Sequence, residues 1–109
     1  MLGDLQKPKI VLVHGYASSM AMMFQIHKKL CETYCLIGID IPGMGASSRP
    51  HDYNKGKITP EESVNYFNDY LERWRVAMAG YLGEELTNFN LLGHSFGGFV
   101  SAQYALAYP

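Results

Sequence analysis

The sequence predicts an α/β fold in which three parallel strands alternate with three helices. Three short runs of mainly apolar residues, at 9–13, 34–39 and 88–92, are each followed by a segment of helical character. This alternation favours a single parallel sheet with right-handed crossovers. A chain of 109 residues, of which 48% are hydrophobic, provides one packed domain and not two.

The first strand and the first helix open the chain. Lys9–Val13 is a β-branched run without polar alternation, which indicates a strand buried on both faces. Ser18 or Ser19 then offers a helix N-cap. Three apolar residues follow at helical spacing, namely Met23, Ile26 and Leu30.

The second strand, Tyr34–Ile39, leads into a stretch dense in Pro, Gly and Ser that extends from Asp40 to Gly56. Two cysteines, Cys31 and Cys35, are separated by three residues. This spacing does not fit a C-x-x-C redox or zinc motif, so we expect both to be free thiols in a reducing compartment.

The second helix carries the clearest signals. Thr59 supplies an N-cap, Pro60 suits the first helical position and Glu62 completes a capping box. We expect this helix to end near Gly83. Six apolar residues recur at gaps of three and four and define one stripe: Val64, Phe67, Leu71, Trp74, Met78 and Tyr81.

A third strand, Asn88–Leu92, and a final helix that runs to Tyr108 complete the alternation, and Pro109 follows that helix. In open parallel sheets, ligands bind beyond the carboxyl ends of the strands. The residues that could carry chemistry all follow the predicted strands, at those ends.

A G-x-S-x-G pattern follows the third strand. In such a pattern the serine lies on a sharp strand-to-helix turn that projects its hydroxyl above the sheet. We predict that Ser95 is a catalytic nucleophile and that the N-terminus of the helix beginning at Phe96 stabilises negative charge beside it. The residues expected to set the geometry of the turn are Gly93, His94, Gly97 and Gly98.

A His-Gly pair follows the first strand, at the same end of the sheet. His14 and Gly15 would shape a turn that places the backbone N–H of Tyr16 beside Ser95. Together with the N–H of Phe96, this group could form an oxyanion hole. We expect the His14 side chain to hydrogen-bond to backbone and to shape the turn, not to act as a base.

The stretch after the second strand allows two other interpretations. Gly43-Met44-Gly45 could open a dinucleotide fingerprint, but Ser48 stands at the third glycine position and Pro50 disfavours a helix. Asp40 could be proposed as a catalytic acid. In enzymes with a G-x-S-x-G turn the acid follows the serine in the chain, so we expect Asp40 to order its own loop.

Composition excludes several function classes. The net charge is −1 and the basic residues are scattered, which predicts no nucleic-acid partner. The N-terminal residues include no apolar signal region, and no apolar run approaches the ~20 residues of a membrane span. We therefore expect a cytoplasmic protein, and no motif implies a cofactor or a metal.

These motifs together resemble the α/β-hydrolase superfamily. The resemblance extends over residues 9–109. Within this range, residues 47–50 and 66–78 are similar to the abhydrolase-domain-containing four and five subfamily of lipid and lysophospholipid metabolism, which narrows the family assignment. It implies a serine esterase or lysophospholipase that acts on small-molecule or lipid esters, with possible contact to lipid droplets or membrane surfaces. The motifs that carry it are His14-Gly15, Asp40-x-Pro42-Gly43-x-Gly45-x-Ser47 and Gly93–Gly98.

Members of that family are more than twice as long. The resemblance therefore implies that residues 1–109 form a partial domain that ends after the helix following Ser95, without the lid, the triad acid or the triad histidine. His94 adjoins the serine and is expected on the opposite face, while His27 and His51 are expected to be solvated. Two other classes stay open: a non-catalytic lipid-surface or partner-binding relative, and a truncated chain without function.

Overall fold

The computed structural model describes residues 2–49 and 58–109, and within them it contains the predicted alternation. A short 3₁₀ turn, Ala21–Met23, precedes the first α-helix. In chain order the elements are β1 (Lys9–Val13), α1 (Phe24–Cys31), β2 (Cys35–Ile39), α2 (Pro60–Leu82), β3 (Asn90–Gly93) and α3 (Phe96–Ala107).

The three strands form one parallel sheet in the order β2-β1-β3. The last residue of β1, Val13, is in register with Ile39 on one side and with Gly93 on the other. The carboxyl ends of all three strands therefore finish at the same level, and the segments that follow them meet at one edge of the sheet.

Alternate residues of the central strand enter two separate cores. Val11 and Val13 belong to the larger core, which is covered by α2 and α3. Ile10 and Leu12 belong to a smaller core, to which α1 contributes Leu30. Helices thus cover both faces of the sheet, which explains why β1 is apolar at successive positions.

Helix α2 begins and ends as the sequence predicts. The Thr59 hydroxyl accepts a hydrogen bond from the Glu62 N–H at 3.1 Å, and Gly83 closes the helix with a left-handed φ of 79°. The apolar stripe is confirmed from Phe67 to Met78 but not at its two ends: Val64 is half-buried and does not belong to the core, and Tyr81 is 72% exposed while Leu82 packs on the core. A stripe with a 3.5-residue repeat drifts by about 20° per heptad around a straight helix.

Helix α1 departs further from expectation. Ser19 does not cap it: its hydroxyl accepts from Met22 N–H at 3.4 Å, in the preceding 3₁₀ turn. Ile26 is exposed, so the predicted stripe is wrong at that residue. The prediction that His27 is solvated is correct only in part: the residue is half-buried, and its Nε2 is buried without a hydrogen-bond partner among the described residues.

The third strand starts two residues later than predicted. Asn88 has a φ of 52°, in the left-handed region, so it turns the chain instead of extending it. Two residues earlier, Leu86 is completely buried in the larger core. The loop before β3 is therefore anchored by an apolar side chain that sequence periodicity did not identify.

Three side chains join α2 to α3. Arg75 donates two hydrogen bonds to the Glu72 carboxylate, at 2.9 and 2.6 Å, and a third to the carbonyl of Leu86 at 3.0 Å. The buried Tyr104 hydroxyl of α3 also donates to Glu72. The hydrogen bonds from Arg75 hold the pKa of Glu72 below its usual range, and burial raises the pKa of Tyr104. This network fixes one helix to the other.

Both cysteines are free thiols, as their spacing predicts. Cys35 lies in the larger core, where burial raises the pKa of its thiol.

Candidate active site

Three segments meet beyond the carboxyl ends of the strands: residues 14–20 after β1, 40–49 after β2, and 94–95 between β3 and α3. The first and third are in direct proximity. A Cβ built on Gly15 would lie 3.2 Å from the Ser95 Cβ and 3.4 Å from Nδ1 of His94. The structure therefore brings together the two motifs that the sequence analysis singled out.

Ser95 occupies a backbone conformation that non-glycine residues rarely adopt. Its φ and ψ are 55° and −119°, and it is the N-cap of α3. The serine side chain does not cap the helix, and the residue is exposed. Such conformations cost of order 1–3 kcal/mol and cluster at functional sites. The turn thus places a free hydroxyl above the sheet, at the positive end of a helix dipole.

The glycines around Ser95 are required by close approach of backbone, not by positive φ. A Cβ on Gly97 would overlap the carbonyl groups of Val13 and His14. A Cβ on Gly93 would overlap the carbonyl of Gly97. Because backbone carbonyls cannot rotate away as side chains can, glycine is needed at both positions for α3 to pack this closely on the strands.

His14 is completely buried and both of its ring nitrogens have backbone partners. Nε2 accepts a hydrogen bond from the Ile41 N–H at 2.9 Å, and Nδ1 lies 2.7 Å from the carbonyl oxygen of Gly15. An accepting Nε2 leaves the ring proton on Nδ1, which donates to Gly15. With both nitrogens occupied, the ring is not available to act as a base toward Ser95.

The two backbone N–H groups predicted to form an oxyanion hole have no acceptor within residues 2–49 and 58–109. Tyr16 is exposed, and Phe96 is the first residue of α3. The Phe96 ring packs edge-to-face on Phe67 of α2, with centroids 5.4 Å apart. This contact fixes the start of α3, because the Phe96 side chain packs against the larger core.

Ala17, next to Tyr16, also has a left-handed φ of 55°. Alanine has no side-chain group that compensates for this conformation, which costs roughly 1–2 kcal/mol. The turn after β1 therefore also contains a non-glycine residue with positive φ, as does the turn that holds Ser95. Sequence reasoning missed this feature, because an alanine in a turn carries no local signal of positive φ.

Asp40 orders the loop in which it lies, as expected. Its carboxylate accepts hydrogen bonds from the N–H of Met20 at 2.7 Å and of Ala46 at 2.9 Å, and Ser47 donates to its backbone carbonyl. A Cβ on Gly45 would overlap this carboxylate. Asp40 thus ties the segment after β1 to the segment after β2.

The loop that contains Gly43 and Gly45 does not open a helix. Both glycines have positive φ, and two consecutive turns close through Met44 N–H to Ile41 and Ser47 N–H to Met44. No helix begins within residues 40–49. A dinucleotide-binding turn needs a helix N-terminus at this point, so the geometry argues against that alternative. Pro50 lies outside the described residues.

Among the described residues, no histidine hydrogen-bonds to Ser95. His94 is adjacent in sequence, and His27 lies on α1. His51 lies outside the described residues. The described ranges also contain no group of three His, Cys, Asp or Glu side chains that could hold a metal ion. In the same ranges, no helix is long and apolar enough to cross a membrane.

Comparison with known proteins gives one consistent result. A family model described as the alpha/beta hydrolase fold matches residues 8–109. A probable 1-acylglycerol-3-phosphate O-acyltransferase of rice is 43% identical over 94% of this chain, and the human 1-acylglycerol-3-phosphate O-acyltransferase ABHD5 is 34% identical over 94%. The chain spans 22% and 27% of their lengths, respectively.

A solved structure shares the architecture. The crystal structure of a membrane phospholipase A, a bacterial virulence factor, superposes on 98% of this chain with a TM-score of 0.74 and 25% identity. The chain covers 30% of that protein. The predicted resemblance to the abhydrolase subfamily and the predicted partial α/β-hydrolase fold are both confirmed.

Proposed function

We propose that this chain, which belongs to the α/β-hydrolase family, is the nucleophile-bearing part of a longer serine hydrolase that acts on carboxylic esters of lipids. The observation that carries the proposal is the conformation of Ser95, with a φ of 55° between the end of β3 and the first turn of α3. Strain of this kind is retained where it serves a function, and here it exposes a hydroxyl.

In the proposed reaction, the Ser95 hydroxyl attacks an ester carbonyl. The carbonyl oxygen becomes an oxyanion that accepts hydrogen bonds from the N–H groups of Tyr16 and Phe96, and the N-terminus of α3 adds a favourable dipole. Collapse of the tetrahedral intermediate releases the alcohol and leaves an acyl-serine. A histidine from the remainder of the longer protein, oriented by its acid partner, would take the proton of Ser95 and pass it to the departing alcohol.

A lipid substrate is favoured by the names of the relatives. The rice and human proteins are named as acyltransferases of 1-acylglycerol-3-phosphate, and the bacterial structure is named as a phospholipase. The same acyl-serine can pass its acyl group to water or to an alcohol. Hydrolysis is the first candidate and acyl transfer to a lysophospholipid the second, and both begin at Ser95. A protein of this kind would work at lipid droplets or membrane surfaces.

Product analysis in the full-length protein separates these candidates. Vesicles that contain phospholipid with a labelled acyl chain, with and without added 1-acylglycerol-3-phosphate, should yield free labelled fatty acid if water is the acceptor and labelled diacylglycerol phosphate if the lysolipid is. Either product should disappear in Ser95→Ala and persist in Ser48→Ala, which removes an exposed hydroxyl elsewhere in the same site region.

The non-catalytic alternative makes the opposite prediction. A lipid-surface or partner-binding relative would bind the same vesicles equally well as wild type and as Ser95→Ala, and would release no labelled product from either. That result would refute the catalytic proposal while leaving the fold assignment intact.

A further inference from the structure

We infer that His14 is a positioning residue that aims the N–H of Tyr16 at the reacting oxygen, by holding the other side of the same peptide group. This inference rests on the proposed function of Ser95. It assigns a catalytic consequence to a side chain that is completely buried.

The argument begins with the geometry of one peptide bond. The carbonyl of Gly15 and the N–H of Tyr16 belong to the same planar trans peptide, so they point in opposite directions. His14 Nδ1 lies 2.7 Å from that carbonyl oxygen. Because the buried His14 ring holds the carbonyl oxygen, the Tyr16 N–H points in the opposite direction, away from that ring.

The residue that begins this peptide, Gly15, lies beside Ser95. A Cβ built on Gly15 would lie 3.2 Å from the Ser95 Cβ and 3.3 Å from the carbonyl oxygen of His94. The Gly15–Tyr16 peptide thus runs directly beside the serine. Tyr16 is 77% exposed and its N–H has no acceptor in the described part of the chain, so the N–H is free to bind an incoming oxygen.

The ring itself is locked by the neighbouring loop. The N–H of Ile41 donates to His14 Nε2 at 2.9 Å, which keeps the ring proton on Nδ1, where it is needed for Gly15. Asp40 holds the same loop through Met20 and Ala46. The loop after β2 therefore controls the tautomer of His14, and through it the orientation of the Tyr16 N–H.

Without this hydrogen bond the peptide could rotate. Such a rotation changes the ψ of Gly15 and the φ of Tyr16, and glycine, which has no side chain, permits a wide range of ψ. A flipped peptide would present the Gly15 carbonyl, not an N–H, to the oxyanion. Loss of one oxyanion-hole donor reduces kcat by about 10²–10³-fold.

Two amide substitutions separate the two hydrogen bonds of the ring. In His14→Asn the side-chain nitrogen occupies the place of Nδ1 and can still donate to Gly15, but Ile41 N–H loses its acceptor. In His14→Gln the terminal amide reaches the place of Nε2 and can accept from Ile41, but Gly15 loses its donor. Each variant keeps one bond and loses the other.

The test measures kcat, KM and Tm for both variants in the full-length protein, with a short-chain p-nitrophenyl ester as substrate. We expect the Gln variant to lose kcat by up to about 10²-fold with KM nearly unchanged. The Asn variant should recover a large part of that loss when kcat is expressed per folded molecule. A role confined to stability predicts that both variants keep the wild-type kcat per folded molecule, or lose it equally, and either result would overturn the inference.

Three controls keep the outcome interpretable. Leu30→Ala, in the small core away from Ser95, should lower Tm and leave kcat unchanged. Ser95→Ala tests the proposed function alone. That function is refuted if the variant keeps the wild-type turnover, or if the wild-type protein itself shows no turnover. The ¹⁵N spectrum of the His14 ring tests the geometry without any activity, because a protonated Nδ1 supports the inference and a protonated Nε2 contradicts it.

Discussion

The two ends of α3 are built in opposite ways. At its N-terminus, Ser95 has a φ of 55° and two nearby glycines pack directly on backbone carbonyls, which leaves no room for a side chain at Gly93 or Gly97. Toward its C-terminus, Tyr104 is buried in ordinary helical geometry and donates to Glu72, which Arg75 also binds.

This difference indicates how the helix can retain a strained residue. Strain persists only where the surrounding structure over-determines it, and α3 is fixed at one end by close backbone packing and further along by a charged network to α2. We therefore expect substitutions at the N-terminal end to change both stability and the proposed chemistry at Ser95. Substitutions at the Tyr104 end should change stability alone.

The largest effect is expected at the close backbone contact. Gly97→Val should lower the free energy of unfolding by more than the roughly 1–3 kcal/mol of ordinary overpacking, because the new side chain meets the carbonyls of Val13 and His14. Chemical denaturation of the full-length protein measures it. Ala102→Val, on an exposed position of the same helix, is the matched control and should change stability by less than about 1 kcal/mol. Equal stability of the two variants would contradict the geometry.

The network at the other end should affect stability without affecting chemistry. Tyr104→Phe removes a buried hydrogen bond to a carboxylate, which costs about 1.5–3 kcal/mol. Turnover per folded molecule should stay at the wild-type value. Tyr108→Phe is the control, since this tyrosine packs on Tyr104 but is itself 43% exposed. A fall in turnover at unchanged stability would show that the two ends are not separable.

The same network predicts a pH dependence of stability. Hydrogen bonds from Arg75 lower the pKa of Glu72 in the folded state. A carboxyl whose pKa is lower in the folded state stabilises the fold at pH values above its unfolded pKa, about 4.3 for glutamate. This stabilisation is lost as the pH falls through the pKa of the folded state. Denaturation between pH 7 and pH 3 should therefore show a steeper acid loss in the wild type than in Glu72→Gln. Parallel curves would contradict the assignment.

The smallest effect on stability is expected at Ala17. Replacement by glycine relieves a left-handed alanine but increases the freedom of the unfolded chain, so the free energy of unfolding should change by less than about 1 kcal/mol. Ester turnover should decrease measurably, because the Tyr16 peptide loses a constraint. The control is Ala79→Gly in α2, where the substitution should cost stability and leave turnover unchanged. Unchanged turnover in Ala17→Gly would indicate that strain in this turn serves no catalytic purpose.

Local sequence signals predicted those parts of the fold that depend on neighbouring residues. The cap of Thr59 and the left-handed Gly83 follow from residue type and position. The turn at Ser95 follows from a five-residue pattern between a strand and a helix. In each case the physical cause lies within a few residues of the effect, so one sequence contains the information.

What sequence reasoning did not give is the identity of distant partners. His14 is expected from the sequence to hydrogen-bond to backbone, but its partner Ile41 lies 27 residues away, and Tyr104 binds Glu72, 32 residues away. The exposure of Ile26 and the burial of Leu86 depend on how the helices and loops pack against the sheet. A single sequence gives no distance between such residues, and periodicity alone does not reveal which of several apolar side chains enters the core.

The central claim, that Ser95 is the nucleophile, is tested most directly by mapping a covalent adduct. The full-length protein is treated with a fluorophosphonate, digested and analysed by tandem mass spectrometry, beside Ser95→Ala and Ser48→Ala. We predict one phosphonylated residue, Ser95, with labelling abolished in Ser95→Ala and retained in Ser48→Ala. An adduct on another residue, or labelling of the Ser95→Ala protein at the wild-type rate, would contradict the account.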